Sequence, residues 1–415
     1  MIDRSRLLQR FLQYVSIDTT ARDDSDTYPS SPGQWELGRV LVEQLQQMGC
    51  HDVRQDEHAI VHATIGSNAG DDLPCIVFNS HLDTSPETTG KDVRPQVIDA
   101  YSGGDIVLPG DTTKVIRMEE NPELATMIGR TLITTDGTTL LGGDDKAGVA
   151  VIMELASQLT ARPDIIHGPV RILFTCDEEI GRGVDHVDVP ALGAAACYTL
   201  DGSGADTIDV ETFSADMAIV TFRGVNIHPS IAKGRMVNAI RAAGYFLAHL
   251  PLDGLSPETT EGRHGFLHPY VMQGGVDRVE LKVLLRDFDT DELEEKANLL
   301  RRLAIDASEE FPGGEIEVQI QRQYRNLGDD LRQQPRIVEF AELAHQRLGR
   351  TAKREIVRGG TDGSRFTELG LPTPNLSTGQ HNPHSPLEWA CLDEMVQAAE
   401  VLVELVQVWG AAGEA

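Results

Sequence analysis

Apolar residues fall into two rhythms over the first 212 residues. In "MIDRSRLLQRFLQYV", Leu7, Leu8, Phe11, Leu12 and Val15 recur at helical spacing with charged residues between them. That spacing predicts an amphipathic helix with one buried stripe. Charges interrupt the apolar run and no small-residue cleavage site follows it, so it reads as a surface helix rather than a signal peptide. "LGRVLVEQLQQMG" and "DKAGVAVIMELASQLT" predict two more helices. Among them stand short continuous apolar runs, "CIVFNS", "VRILFT" and "CYTL". Runs this short predict buried strands. Strands alternating with helices predict an α/β fold, a mostly parallel sheet with helices on both faces.

The rhythm changes from 213 to 325. "MAIVTFRG" alternates like a half-exposed strand, and "MVNAIRAAGYFLAHL" has helical spacing. Strands follow around "HPYVMQGG" and "RVELKVLLRDFD". Next come a long helix with many paired charges, "DELEEKANLLRRLAIDASEEF", and a last alternating strand, "EIEVQIQRQY". The order β-α-β-β-α-β is a split βαβ unit, which predicts a small α+β domain. From 326 the first style resumes, with helices and the strand "TPNLS". The expectation is a discontinuous larger domain, 1–212 with 326–415, and an inserted domain at 213–325. Residues 101–130 read as a long loop or hairpin. No internal repeat stands out.

Composition narrows the classes of function. A chain of 415 residues exceeds one ordinary core. No window holds enough consecutive apolar residues for a membrane span. The formal net charge of −29 argues against nucleic acid or an anionic membrane as a partner. Five scattered cysteines, none in a C-x-x-C pair, point to a reduced cytoplasm rather than a disulfide framework.

Five acid or histidine clusters each follow a predicted strand or open a helix. "SHLDTSPE" sets His81 and Asp83 two apart, so in extended chain both point the same way and Asp83 can hold the His81 ring. "GGDDKAG" places Asp144 and Asp145 where a helix starts. "TCDEEIGRG" places Asp177, Glu178 and Glu179 behind a buried strand. "LDGSG" carries Asp201, and "STGQHNPH" carries His381 and His384. Each has an ordinary reading alone: a helix cap for the aspartates of "DDK", a turn residue for Asp201, loop residues for the histidines. Together they gather where ligand sites of open α/β sheets lie, outside the carboxyl ends of strands. Histidines with several carboxylates suit zinc, manganese or cobalt, and a bridging carboxylate can hold a pair of ions. The adjacent glutamates then divide the work, one binding metal and the other serving as general base.

The ordered set of "SHLDTSPE", "GGDDKAG", "TCDEEIGRG", "LDGSG", "NIHPSIAKGRMVNA", "VLLRDFD", "RGGTDGS" and "STGQHNPH" resembles the tripeptide-aminopeptidase branch of the M20 metallopeptidases over nearly the whole chain. The resemblance implies a fold of the zinc-peptidase type whose inserted domain serves as a lid or dimerisation domain. It implies two zinc ions per subunit, with Co2+ or Mn2+ as substitutes. Asp144 would bridge them, His81 and Asp201 would complete one ion, and Glu179 and His384 the other. Glu178 would be the general base and Asp83 would orient His81. His384 is preferred over His381 because it aligns with the family position. His228 would stabilise the oxyanion, and Asn238 would add a hydrogen bond to substrate. Arg286 on the small domain and Arg358 on the large one are candidates for the substrate carboxylate, since an Arg fork fits that group. The implied substrate is a tripeptide that loses its N-terminal residue, and a homodimer is left open. The alternative is another M20 activity on the same site: dipeptidase, aminoacylase or carboxypeptidase.

Overall fold

Residues 1–70 and 72–411 are described in the computed structural model. Four apolar runs form the parallel heart of the fold. Val170–Thr175, Ile76–His81, Ala196–Ser203 and Asn375–His381 lie side by side in that order, each parallel to the next. All six residues of Ile76–His81 and all seven of Asn375–His381 are buried, as expected for strands covered on both faces. Antiparallel strands extend the sheet on both sides. His51–Gln55 and Val61–Ile65 flank Val170–Thr175, while Trp389–Cys391, Leu132–Thr134 and Gln96–Ile98 flank Asn375–His381. The α/β class holds, with the parallel arrangement at the centre of the sheet. The helix Gly143–Ala161 is buried nearly all round, so its apolar surface has no polar face to present to water. The 101–130 segment contains a small hairpin, Ile106–Val107 with Val115–Ile116, over its own apolar cluster around Leu108, Leu124 and Trp389.

The chain divides into two compact units. The larger comprises Met1–Val210, Asp330–Glu355 and Thr361–Ala415, and the smaller Glu211–Asp329 and Ile356–Gly360. The units divide differently from the expected 213–325 insertion, because 211–212, 326–329 and 356–360 fall with the smaller unit. Hydrogen bonds explain why. The Phe213 N–H donates to the carbonyls of Val357 at 3.2 Å and Gly359 at 3.1 Å. Asn326 accepts from the Thr212 N–H and donates to the Phe288 carbonyl. Arg358, expected in the larger body, therefore lies in the smaller one.

The smaller unit holds an antiparallel sheet ordered Phe266–Gly274, Arg278–Asp287, Ser214–Arg223, Glu315–Tyr324. Alternate residues of Arg278–Asp287 are buried, the period-2 pattern of a sheet with one covered face. The helices Ala239–His249 and Thr290–Glu310 cover that face and close a core of Phe222, Phe246, Leu281, Val283 and Leu300. Among the described residues no helix is long and apolar enough to cross a membrane. All five cysteines are free.

Candidate metal centre

The carboxyl ends of the four parallel strands converge on one patch of the larger unit. His81 ends its strand, in register with Thr175. Two residues past Thr175 the chain turns through Asp177, at φ 60°, into the short 3-10 turn Glu178–Ile180. Asp201 lies near the end of the neighbouring strand Ala196–Ser203. His384 follows the fourth strand, Asn375–His381. Asp144 comes from the opening of the buried helix, where its own φ of −80° and ψ of 104° are not helical. That departure turns its side chain out of the helical path.

Two triads result, His81–Asp144–Asp201 and Asp144–Glu179–His384, and within each the candidate ligand atoms lie within 4.8 Å of one another. Asp144 is common to both. Its Oδ1 is 3.1 Å from His81 Nε2 and its Oδ2 is 3.3 Å from His384 Nε2, so its two oxygens serve opposite sides. His81 Nε2 is also 3.7 Å from Asp201 Oδ1, and His384 Nε2 is 3.0 Å from Glu179 Oε2.

Asp83 links the two histidine and glutamate arms. Its Oδ1 is 3.4 Å from His81 Nδ1, fixing the far side of the ring. The same carboxylate accepts the Glu178 N–H at Oδ1 and the Glu179 N–H at Oδ2, both at 3.1 Å. One fully buried side chain thus sets a histidine ring and the turn bearing both glutamates. Asp177 is turned away and bound by Ser30 and Gln34.

The electrostatics show an excess of negative charge. Burial first, then the Asp144 charge, push the Glu179 carboxyl up to about 8, against the pull of His384. The same two causes raise Asp201 to about 6. Burial drives Glu178 well above the usual carboxylate range, with His81 opposing and Asp201 adding to the rise. Asp144 moves the other way: burial resists, but hydrogen bonds to His384 and His81 hold it below its ordinary value. Burial disfavours imidazolium at His384, yet Asp144 and Glu179 lift it to about 11. Two histidines do not neutralise this many carboxylates. Glu179 Oε1, moreover, is buried with no hydrogen-bond partner, an acceptor in want of a cation or donor. Imidazole and carboxylate ligands in two triads sharing one acid fit a pair of divalent ions such as zinc, manganese or cobalt.

His381 has a different place. It stacks on Trp389 with ring centroids 3.7 Å apart, and its Nε2 lies 2.7 Å from Glu394 Oε2. It belongs to neither triad. The four expected substrate residues all lie in the smaller unit. His228 is exposed and caps a short turn, its Nδ1 2.7 Å from Ser230 Oγ. Asn238 caps Ala239–His249 by accepting the Ile240 and Arg241 N–H groups. Arg286 Nη1 donates to the carbonyls of Asp216 and Leu285, with the guanidinium 5.5 Å from the Tyr324 ring centroid. Arg358 is more committed. Its Nη1 donates to the Gly262 and His264 carbonyls, its Nη2 to Thr260 Oγ1, and it lies over Phe213 and Phe266.

Several supporting roles escaped the sequence reading. Asp145 accepts from Ser80 Oγ at 2.5 Å and from the His81 N–H at 3.2 Å, so the second acid of "DDK" braces the histidine strand. Asn375 Oδ1 accepts the Asp201 N–H, and Gln380 Nε2 donates to the Asp201 carbonyl. Glu388, fully buried, accepts the backbone N–H groups of Leu141, Gly142 and Asp144. A charged residue between Leu387 and Trp389 was the signal available for it.

Residues 136–408 match the model of peptidase family M20/M25/M40. Peptidase T of Geobacillus thermodenitrificans is 43% identical over 406 residues, covering 98% of each chain. Peptidase T of Listeria monocytogenes is 41% identical over 98% of this chain and 99% of its own. Among solved structures, a tripeptidase from Staphylococcus aureus is similar with a TM-score of 0.77 and 25% identity, over 99% of this chain and 100% of the other. The likeness of fold extends to a dinuclear metal-binding M20 peptidase from Bacillus subtilis, at a TM-score of 0.67 and 18% identity, over 98% of each chain. The chain belongs to the M20 peptidase family.

Proposed function

We propose that this chain is a dinuclear metal aminopeptidase that releases the N-terminal residue of tripeptides, with zinc as its metal. The observation that carries the reading is the pair of triads sharing Asp144. The names of its relatives, peptidase T and a tripeptidase, support the substrate class. His81, Asp144 and Asp201 would hold one ion, and Asp144, Glu179 and His384 the other. Such a pair, when bound, lowers the pKa of a water molecule toward neutrality and polarises the scissile carbonyl.

The chain's own groups do the rest. Glu178 is the general base: it takes a proton from the attacking water and returns it to the leaving amine. Its burial raises its proton affinity, which suits a group that must hold the proton between those two steps. Asp83 keeps that base in place through the Glu178 N–H while orienting His81. The proposed substrate contacts are His228 to the developing oxyanion, Asn238 as a hydrogen-bond partner, and an arginine to the terminal carboxylate. Arg286 fits that task better than Arg358, because its Nε and Nη2 make no hydrogen bond among the described residues, whereas the Arg358 fork is spent on its own unit. The five unpaired cysteines support a reducing compartment, the cytoplasm.

The test is hydrolysis of a free tripeptide beside its N-acetylated twin by zinc-loaded enzyme, with products identified by mass. Loss of the N-terminal residue from the free peptide alone is the expected result. Cleavage of the acetylated twin would move the chain to an aminoacylase or carboxypeptidase activity.

A further inference from the structure

We propose that Glu388 is a positioning residue of the metal centre, acting on Asp144 through the backbone of the Leu141–Asp144 turn. This rests on the dinuclear reading above and adds to it the group that sets the shared ligand. Glu388 is 1% exposed and belongs to neither triad. Its Oε2 accepts the Leu141 N–H at 2.7 Å and the Gly142 N–H at 2.8 Å, and its Oε1 accepts the Asp144 N–H at 3.0 Å. Three N–H groups from four consecutive residues therefore converge on one carboxylate.

The turn needs such a partner. The first N–H groups of a helix have no partner within the helix, and here the backbone is not yet helical. Gly142 sits at φ 81° and Asp144 at ψ 104°, so no helical repeat fixes the Asp144 side chain. Yet Asp144 has to present one oxygen toward His81 and the other toward His384. A buried carboxylate with three charge-assisted hydrogen bonds holds that orientation far more rigidly than packing alone. Gly143 eases the fit: a Cβ there would stand 3.0 Å from Glu388 Oε1, closer than ordinary contact, so the carboxylate would have to shift. Since Asp144 is common to both triads, loosening it weakens both sites at once.

The experiment is a Zn2+ titration of metal-free protein against a competing chelator. Glu388→Ala is expected to weaken both ions by about 10–100-fold, the range for losing a group that orients a metal ligand. Glu388→Gln should fall between it and the wild type, since the amide oxygen keeps Leu141 and Gly142 while its NH2 opposes the Asp144 N–H. His384→Ala should weaken one ion only. Glu154→Gln is the control, a buried carboxylate bound to Arg6 on the outer side of the same helix, and should alter stability without altering Zn2+ affinity. If Glu388→Ala does not fold, Glu388→Gln and Gly143→Ala decide, the latter crowding Oε1 directly. Wild-type affinity for both ions in those two variants overturns the proposal and leaves the dinuclear reading standing. Failure of the wild type to bind Zn2+ overturns both.

Discussion

Glu178 and Glu179 are neighbours in sequence with different surroundings. Glu179 reaches His384 and closes a triad, while Glu178 stands outside both triads and is half-buried. Glu178→Gln keeps the shape and removes the base. Its kcat should fall by about 10²–10⁴-fold with Zn2+ content unchanged, measured on the same tripeptide. A second residue-scale prediction concerns Asp209, which burial pushes up to about 7 while its Oδ2 accepts from Asn375 Nδ2. The folded chain binds this proton more tightly than the unfolded one. The associated stability is therefore full below about pH 4 and is lost as the pH rises through about 7. Asp209→Asn keeps an acceptor for Asn375 and removes the charge. Denaturation at pH 5 and pH 8 should show a smaller drop for the variant than for the wild type. The sequence makes the proposed ligands legible, because each lies in a short polar cluster at a strand end or a helix start. It hides Asn375, Gln380 and Glu388, whose roles depend on hydrogen bonds to distant backbone.

The elements matter through where they end. Four parallel strands bring His81, Glu179, Asp201 and His384 to one edge, and the helix after "GG" adds Asp144. That helix must lie hard against the sheet. At Gly148 a Cβ would stand 1.9 Å from the Leu200 carbonyl oxygen and 2.4 Å from Asp145 Oδ1. Gly148→Ala should displace the helix, lower thermal stability and weaken Zn2+ binding together, read by calorimetry and metal titration. In the smaller unit, Leu300→Ala should cost about 2–5 kcal/mol in denaturant unfolding of that unit while leaving Zn2+ binding intact, because Leu300 is fully buried in a core of its own. Periodicity made the buried strands and long helices readable. The strands His51–Gln55 and Val61–Ile65 escaped because each is only five residues long, and Ile356–Gly360 was misassigned because its backbone partner, Phe213, lies more than 100 residues away.

For the molecule as a whole, the net charge of −29 opposes the folded state through self-repulsion. Raising the salt from low ionic strength should therefore increase the unfolding temperature, since screening acts within about 10 Å at 0.1 M. Divalent metal should stabilise further, because it binds the folded centre and relieves its crowded carboxylates. One carboxylate, Asp144, would join two metal positions. Counting zinc per chain in the wild type and in Asp144→Asn, after equilibration at one free Zn2+ concentration, tests it most directly. Two ions are expected in the wild type and a loss at both positions in the variant. A variant that keeps one full position, or a wild type that saturates at a single ion, would contradict it.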